Sequence, residues 1–262
     1  MTIAAARPVL PPGTILQHMY LKERLGRRPP GTFVEVGVGG GHISRLLLDL
    51  GWRGVAYDLS AEAVARAEAV LAPELADGRM ALRVGNWLEA AGDAPVDVVI
   101  SSMVIEHLDE ADEARYFARC REALAPGGLA VTIVPASMRH WGVEDDIAGH
   151  LRRYTADGLE TRLAGLGWRL DHAAGLTYPL SNMLLPVSNA LVARAERQKT
   201  ALSAQERTEA SGRRDVLGKT RFPGVARWLL NEATMMPFHL WQKAARRSPN
   251  ALVLYTEASP TT

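Results

Sequence analysis

Thr32-Phe-Val-Glu-Val-Gly-Val-Gly-Gly-Gly-His42 is the stretch on which the fold turns. Apolar Phe33, Val34 and Val36 make a short strand, the glycines make a turn, and the amphipathic run from His42 to Leu50 makes a helix. Glycine lets the backbone come close to a ligand, and a helix N-terminus presents free N–H groups. A nucleotide-like ligand at the carboxyl edge of this strand is the physical expectation. The dinucleotide fingerprint G-x-G-x-x-G, counted from Gly37 and Gly39, needs a third glycine where His42 stands. No G-x-x-x-x-G-K-[ST] phosphate loop occurs either. What remains is Glu35-x-Gly37-x-Gly39-x-Gly41, and a carboxylate at that strand end suits a cationic ligand better than a pyrophosphate.

Outward from this turn, short β-rich runs alternate with helix-length stretches, the pattern of parallel strands joined by helical crossovers. Strands are expected at Thr32–Gly37, Gly54–Asp58, Met80–Val84, Val96–Ser101 and Leu129–Val134. Helices are expected at His42–Leu50, Ala61–Leu71 and Asp109–Leu124, the last stopping at Pro126-Gly127-Gly128. A helix Thr155–Leu166 and a strand Trp168–Ala173 follow, and Ala251–Thr256 reads as a closing strand. The expected fold is α/β: a doubly wound, mostly parallel seven-stranded sheet with a helical insertion before the last strand. Residues 1–31 are expected to form an N-terminal helical cap, with a helix around Gln17–Leu25. Residues 32–175 plus 251–258 form the ligand-binding domain, and 176–250 the insertion or lid. Within the insertion, helices are expected at Pro186–Gln198 and Val225–Ala245, with Pro237 kinking or breaking the second and a polar loop at Thr200–Lys219 between them.

At this point the chain resembles the class I S-adenosylmethionine-dependent methyltransferases, whose first motif is an acidic residue followed by G-x-G-x-G. The match continues through Asp58 at the end of the second strand, Asn86-Trp87 after the third, Asp97-Val-Val-Ile-Ser-Ser-Met-Val-Ile-Glu-His-Leu108 and Leu124-Ala-Pro-Gly-Gly-Leu-Ala-Val-Thr-Ile133. Together these cover roughly residues 32–174. The resemblance implies a Rossmann-like fold and S-adenosyl-L-methionine as cofactor. It places Glu35, Gly37, Gly39 and Gly41 in the binding turn, Asp58 and its neighbour Leu59 at the ribose, and Asn86 and Trp87 beside the adenine. Ser101, Ser102 and Met103 would line the methionine end through their backbone. Asn86 stands where the family usually has Asp, and its amide oxygen can accept the same hydrogen bond. His107 is, by the same resemblance, a structural histidine.

The acceptor should approach at His140-Trp-Gly-Val-Glu-Asp-Asp-Ile-Ala-Gly-His-Leu-Arg-Arg-Tyr-Thr155. His150 and Tyr154 are the catalytic candidates, with His150 as general base. Trp141, Arg153 and Tyr178 are the candidate substrate contacts. Salt bridging of Arg153 and His150 to Asp145 or Asp146 is the competing structural role. A metal on His140, Asp145 and His150 is chemically conceivable but matches no ligand-spacing signature, so no metal is expected. His18, His172 and His239 carry no constellation, and Cys120 reads as a small buried hydrophobe. Trp228, Met235, Met236, Phe238 and Trp241 crowd one part of the insertion. Packing on the domain is the plain role for that face; a lid, a homodimer interface and a membrane-surface contact are the others.

Composition narrows the partners. The 262 residues are 47% hydrophobic and carry 30 Lys plus Arg against 29 Asp plus Glu, a net charge of +1 with no general pull toward nucleic acid. An acidic body is flanked by basic ends. Residues 31–193 hold thirteen basic and twenty-two acidic side chains, and residues 194–262 hold twelve and six. The longest apolar stretch, Leu180–Ala193, is too short and too interrupted to span a bilayer, so no stable membrane insertion is expected. The single cysteine and the absence of an apolar leader point to a reducing cytoplasm. The leading expectation is methyl transfer to a small-molecule acceptor through an O, N or S atom. The others are an enzyme that transfers or cyclises the aminocarboxypropyl group, and a non-catalytic binding protein of the same fold.

Overall fold

The computed structural model describes residues 9–90, 92, 95–195 and 222–261, and the expected loop Thr200–Lys219 lies outside them. Seven strands form one sheet in the order β3-β2-β1-β4-β5-β7-β6. They are β1 (Thr32–Val36), β2 (Arg53–Asp58), β3 (Met80–Val84), β4 (Val96–Ser102), β5 (Leu124–Pro135), β6 (Trp168–Leu176) and β7 (Val253–Pro260). β1 to β5 pair in parallel, and β7 runs antiparallel to both β5 and β6. The chain leaves β1 toward β2 and β3 and returns to lay β4 on β1's other side. The strand order therefore reverses at β1 and β4, where a crevice opens outside their carboxyl ends.

The helices are α1 (Pro12–Leu25), α2 (His42–Asp49), α3 (Ala61–Ala76), α4 (Glu110–Ala123), α5 (Val143–Ala148), α6 (Ala156–Gly165), α7 (Leu180–Ala195) and α8 (Glu232–Ala244). Successive strand residues point to opposite faces, and both faces of β1 are sealed. Phe33 joins Leu21, Leu47, Leu71 and Val131 on the side of α1, α2 and α3, whereas Val34 joins Tyr116, Phe117, Leu163 and Trp168 on the side of α4 and α6. Burying each such side chain contributes about 1.5–3 kcal/mol, and this two-sided packing holds the strand ends that carry the site. Cys120 is buried in the second cluster, and burial pushes its thiol up.

A third, smaller cluster ties the N-terminal helix to the insertion: Ile15, Leu16 and Met19 of α1 pack on Met235 of α8. Polar bonds reinforce the contact. Gln242 Nε2 donates to the Leu16 carbonyl at 2.9 Å while its Oε1 accepts from Thr177 N at 2.9 Å, and Lys243 Nζ lies 2.7 Å from both oxygens of Glu23. The face expected to pack as a whole divides: Met235 is buried and Phe238 partly so, whereas Trp228, Leu240 and Trp241 are exposed.

Several boundaries differ from the sequence reading. α7 starts at Leu180, right after Pro179, and carries Pro186 inside it. Two prolines could have marked its first turn, and the one next to β6 does so. The stretch from Val225 is a short 3-10 turn at Gly224–Trp228 followed by α8, separated by Asn231, whose side chain caps the helix by accepting from Thr234 N. α8 continues through Pro237. The helix α4 ends at Ala123, just ahead of Pro126-Gly127-Gly128 as expected, but β5 begins at Leu124 instead of Leu129 and β7 runs to Pro260.

Candidate active site

The glycine turn closes over the carboxyl end of β2. The N–H groups of Gly37 and Val38 both donate to the Tyr57 carbonyl, at 2.8 and 3.0 Å, and Gly39 N donates to Asp58 Oδ2 at 2.9 Å. Gly37, Gly39 and Gly41 have φ of 83°, 52° and 74°, a region L side chains rarely adopt. A Cβ on Gly37 would lie 2.6 Å from Val104 Cγ2, and one on Gly41 would lie 3.2 Å from Ala67 Cα. Among the described residues, nothing lies within 4 Å of where a Cβ on Gly39 would be. Gly37 and Gly41 thus answer to the protein's own packing, while Gly39 faces open space.

Glu35 sits beneath the turn, 2% exposed, and accepts a hydrogen bond from the Ser44 hydroxyl at the start of α2. Burial pushes its carboxyl up to about 8, and the Asp58 charge adds to the shift. Asp58 is half-buried at the rim, with Oδ1 accepting from Ser60 N at 2.9 Å. It does not cap α3: the Ser60 side chain does, accepting from Ala63 N. Leu59 follows, 64% exposed. The α1 helix reaches this region: burial, and then the neighbouring His42, pull the His18 imidazole down to about 4.

The remaining rim residues are placed less uniformly. Asn86 is half-buried; its Oδ1 accepts from Leu88 N at 3.1 Å and its Nδ2 donates to Glu89, so its side chain serves the local turn. Trp87 is a correction. Its ring is 1% exposed in the second core cluster, edge-on to Tyr116 with the Arg119 guanidinium over its face, so the side chain packs as core. Ser101 turns its hydroxyl inward to accept from Tyr116 OH at 2.9 Å, which leaves only its backbone at the edge. Ser102 is half-buried at the end of β4. Met103 has φ 54° and donates its N–H to the Ile133 carbonyl of β5, so that donor is engaged by the sheet. Its side chain packs against the first core cluster.

On the acceptor side, the salt-bridge role weighed for Asp145 is the one the structure shows, and this residue organises the rest. Asp145 is fully buried at the start of α5. Its Oδ1 lies 2.8 Å from His150 Nδ1, and it receives Arg153 Nε on Oδ1 at 2.8 Å, Arg153 Nη2 on Oδ2 at 2.9 Å and Gly142 N on Oδ2 at 2.8 Å. Burial alone would raise the Asp145 carboxyl; the bonds from His150 and Arg153 outweigh it and hold it at about 2. Arg153 also donates to the Ala136 carbonyl at 3.2 Å, so this guanidinium is a structural clamp and not the expected substrate contact.

Tyr154 is a second correction. It is 3% exposed, its hydroxyl lying 2.9 Å from Glu113 Oε1 and 3.1 Å from the Ile105 carbonyl, and burial followed by the Glu113 charge pushes its phenol well above the ordinary value. A side chain held there cannot act on an acceptor. Trp141 is half-buried, with Nε1 donating to Asp146 at 2.9 Å, and Tyr178 is half-buried just after β6.

His150 faces a residue that the sequence reading passed over. Its Nε2 stands 3.9 Å from Glu106 Oε1, and its ring meets His107 edge-on with centroids 4.8 Å apart. Glu106 is fully buried; burial pushes its carboxyl up to about 8, the Asp145 charge adding and the Arg153 charge opposing. The sequence signal was a carboxylate set between apolar Ile105 and His107-Leu108 right after a buried strand. His140, Asp145 and His150 do not gather as a ligand trio, whereas Glu106, His107 and His150 do. Grooves of about 320 and 250 Å³ lie elsewhere, between α1 and α8 and beside His172, and neither is lined by the glycine turn.

The chain belongs to a methyltransferase domain family, whose model matches residues 16–173. It is 30% identical over 164 residues to a Mycolicibacterium smegmatis protein described as a probable S-adenosylmethionine-dependent methyltransferase, covering 61% of each chain. It is 33% identical over 98 residues to a ubiquinone biosynthesis O-methyltransferase of Caulobacter vibrioides, covering 37% of this chain and 38% of that one. The matches thus span less than two thirds of these relatives' length. Among solved structures, the magnesium protoporphyrin IX methyltransferase of Synechocystis, with bound S-adenosylhomocysteine, aligns with TM-score 0.52 and 16% identity over 63% of this chain and 78% of that one, a likeness of fold.

Proposed function

We propose that this chain transfers the methyl group of S-adenosylmethionine to a small-molecule acceptor at the carboxyl edge of β1 and β4. The observation that carries the reading is the single unit made by Gly39 and Asp58. The turn is pinned to the carboxylate by its own N–H, the carboxylate keeps lone pairs for ribose hydroxyls, and Gly39 leaves the space above the turn open. Glu35 lies below as the buried carboxylate that a cationic ligand end would favour. Family membership and relatives named for the same cofactor support it.

Bound S-adenosylmethionine would supply a methyl group already activated by its sulfonium, with the neutral thioether of S-adenosylhomocysteine as leaving group. The protein's contribution is alignment and exclusion of water. A neutral hydroxyl or protonated amine must also lose a proton, and His150 Nε2, where nothing else engages its lone pair, takes it. Asp145 fixes the ring by accepting from Nδ1, which leaves Nε2 with the free lone pair.

The near-neutral charge argues for a small molecule over nucleic acid. No helix among the described residues is long and apolar enough to cross a membrane. The single, buried cysteine fits a cytoplasmic setting, and the exposed aromatic residues of the insertion are the surface through which two copies would pair.

Titration calorimetry with S-adenosylhomocysteine tests the cofactor site. Asp58→Ala should weaken binding roughly tenfold or more, since hydrogen bonds to a charged group are worth about 1.5–3 kcal/mol. Equal affinity in the variant would remove the ribose contact from the account.

A further inference from the structure

We propose that Glu106, His107 and His150 together form a binding site for a divalent transition-series cation of the zinc type, facing the acceptor. The three side chains come from two segments, the turn after β4 and the loop after α5, and one ligating atom from each lies within 4.8 Å of the others. The backbone joins the two segments at this point, Leu151 N donating to the Glu106 carbonyl at 2.9 Å.

Two independent features point to a cation. Glu106 is fully buried, and neither carboxylate oxygen has a hydrogen-bond partner among the described residues. A buried carboxylate without partners is costly unless something positive or a proton meets it. Beside it, His150 has the arrangement of a metal-bound imidazole. Its Nδ1 donates to Asp145, a carboxylate already anchored by Arg153 and Gly142 N, so the Nε2 lone pair is directed toward Glu106 Oε1 at 3.9 Å. Two lone pairs facing each other repel unless a cation or a proton lies between them. A carboxylate behind the far nitrogen is the usual outer support of a ligating histidine.

The donor set selects the metal. Two imidazoles and one carboxylate suit zinc, iron(II) or cobalt(II) and do not suit magnesium or calcium, which take oxygen ligands. Metal–ligand bonds of about 2.0–2.2 Å in a tetrahedral site bring ligating atoms to about 3.4 Å from one another, so Glu106 and His150, 3.9 Å apart, need close in by only about half an ångström. Three protein ligands leave a coordination position open. An acceptor hydroxyl bound there would lose its proton at lower pH than when free. This deepens the methyl-transfer reading and rests on it only for that last consequence; the cation site itself does not depend on it.

The test uses the full chain, stripped with a chelator, dialysed against zinc(II) or cobalt(II) and assayed for metal by atomic emission, with cobalt ligand-field absorption as a second readout. The expected result is about one equivalent per chain, lost in Glu106→Gln and in His150→Gln, with S-adenosylhomocysteine affinity unchanged in both. Asp145→Asn should keep the site but weaken it about 10- to 100-fold. Wild-type protein that retains no metal would overturn the proposal and leave a proton to fill the gap, and variants that retain as much as wild type would overturn it by placing the metal elsewhere. Metal binding without any methyl transfer would leave this inference standing and defeat the functional reading instead.

Discussion

Asp145 holds both His150 and Arg153: one carboxylate lies 2.8 Å from the imidazole Nδ1 and receives the guanidinium on both oxygens, at 2.8 and 2.9 Å. The arginine that would otherwise face a substrate is thereby turned into part of the histidine's support. The imidazole is left with one nitrogen for chemistry.

If that nitrogen belongs to the proton-withdrawing cluster, His150→Gln should lower kcat for a hydroxyl or amine acceptor by roughly 10²- to 10⁴-fold, the range of general acid–base assistance. KM for S-adenosylmethionine should stay unchanged. Steady-state kinetics read both, and a kcat close to wild type would place proton removal elsewhere.

Tyr154→Phe should behave in the opposite way. It removes a hydroxyl from a buried network with Glu113 and the Ile105 carbonyl, so stability should fall by about 1 kcal/mol or somewhat more while kcat and KM stay put. A large loss of kcat in a protein with an unaltered melting midpoint would return Tyr154 to the chemistry.

Glu35 makes the ligand-free protein sensitive to pH. Its carboxyl titrates at about 8 when folded, against about 4.5 ordinarily. Between these values the folded chain keeps the proton and the unfolded chain releases it, so stability declines as pH rises through that window and the full cost is present above it. The buried Ser44 hydroxyl and the Asp58 carboxylate are the groups that face it. Glu35→Gln should remove this term, making the variant more stable than wild type at pH 9 by an amount on the order of a few kcal/mol. Denaturant midpoints measured from pH 5 to 9 would run parallel for the two proteins if the assignment were wrong.

The glycines should separate by role. Gly41→Ala places a Cβ 3.2 Å from Ala67 at φ 74° and should cost about 1–2 kcal/mol or more of stability. Gly39→Ala bears the backbone strain but meets no neighbour among the described residues, so its larger effect should fall on cofactor affinity. Paired melting and calorimetric titrations check the contrast; equal effects on both quantities would contradict it.

The strand and turn around Glu35 were legible in the sequence because they rest on local rules: apolar runs of strand length, glycines at positive φ, and a helix that starts where the turn ends. Asp58 was legible for the same reason, standing at the end of the next strand. What the acceptor side does was not, because it depends on which face of the loop each residue takes. Tyr154 enters the core because its backbone bridges Ala136 and follows the sheet edge, a tertiary fact that no spacing announces. Trp87 likewise is drawn under the sheet by Tyr116 and Arg119. Asp145 and Glu106 lay in plain view as carboxylates, but their importance comes from burial, which only the fold confers. The start of α7 was misplaced because Pro179 and Pro186 each fit the first turn of a helix.

The most direct test of the central claim is to incubate the protein with S-adenosylmethionine labelled in the methyl group and fractionated small-molecule extract, and to follow both nucleoside and label by mass spectrometry. The account predicts S-adenosylhomocysteine, with the label on a small molecule. Methylthioadenosine in its place would contradict it, because the bond broken would then be the one to the aminocarboxypropyl group.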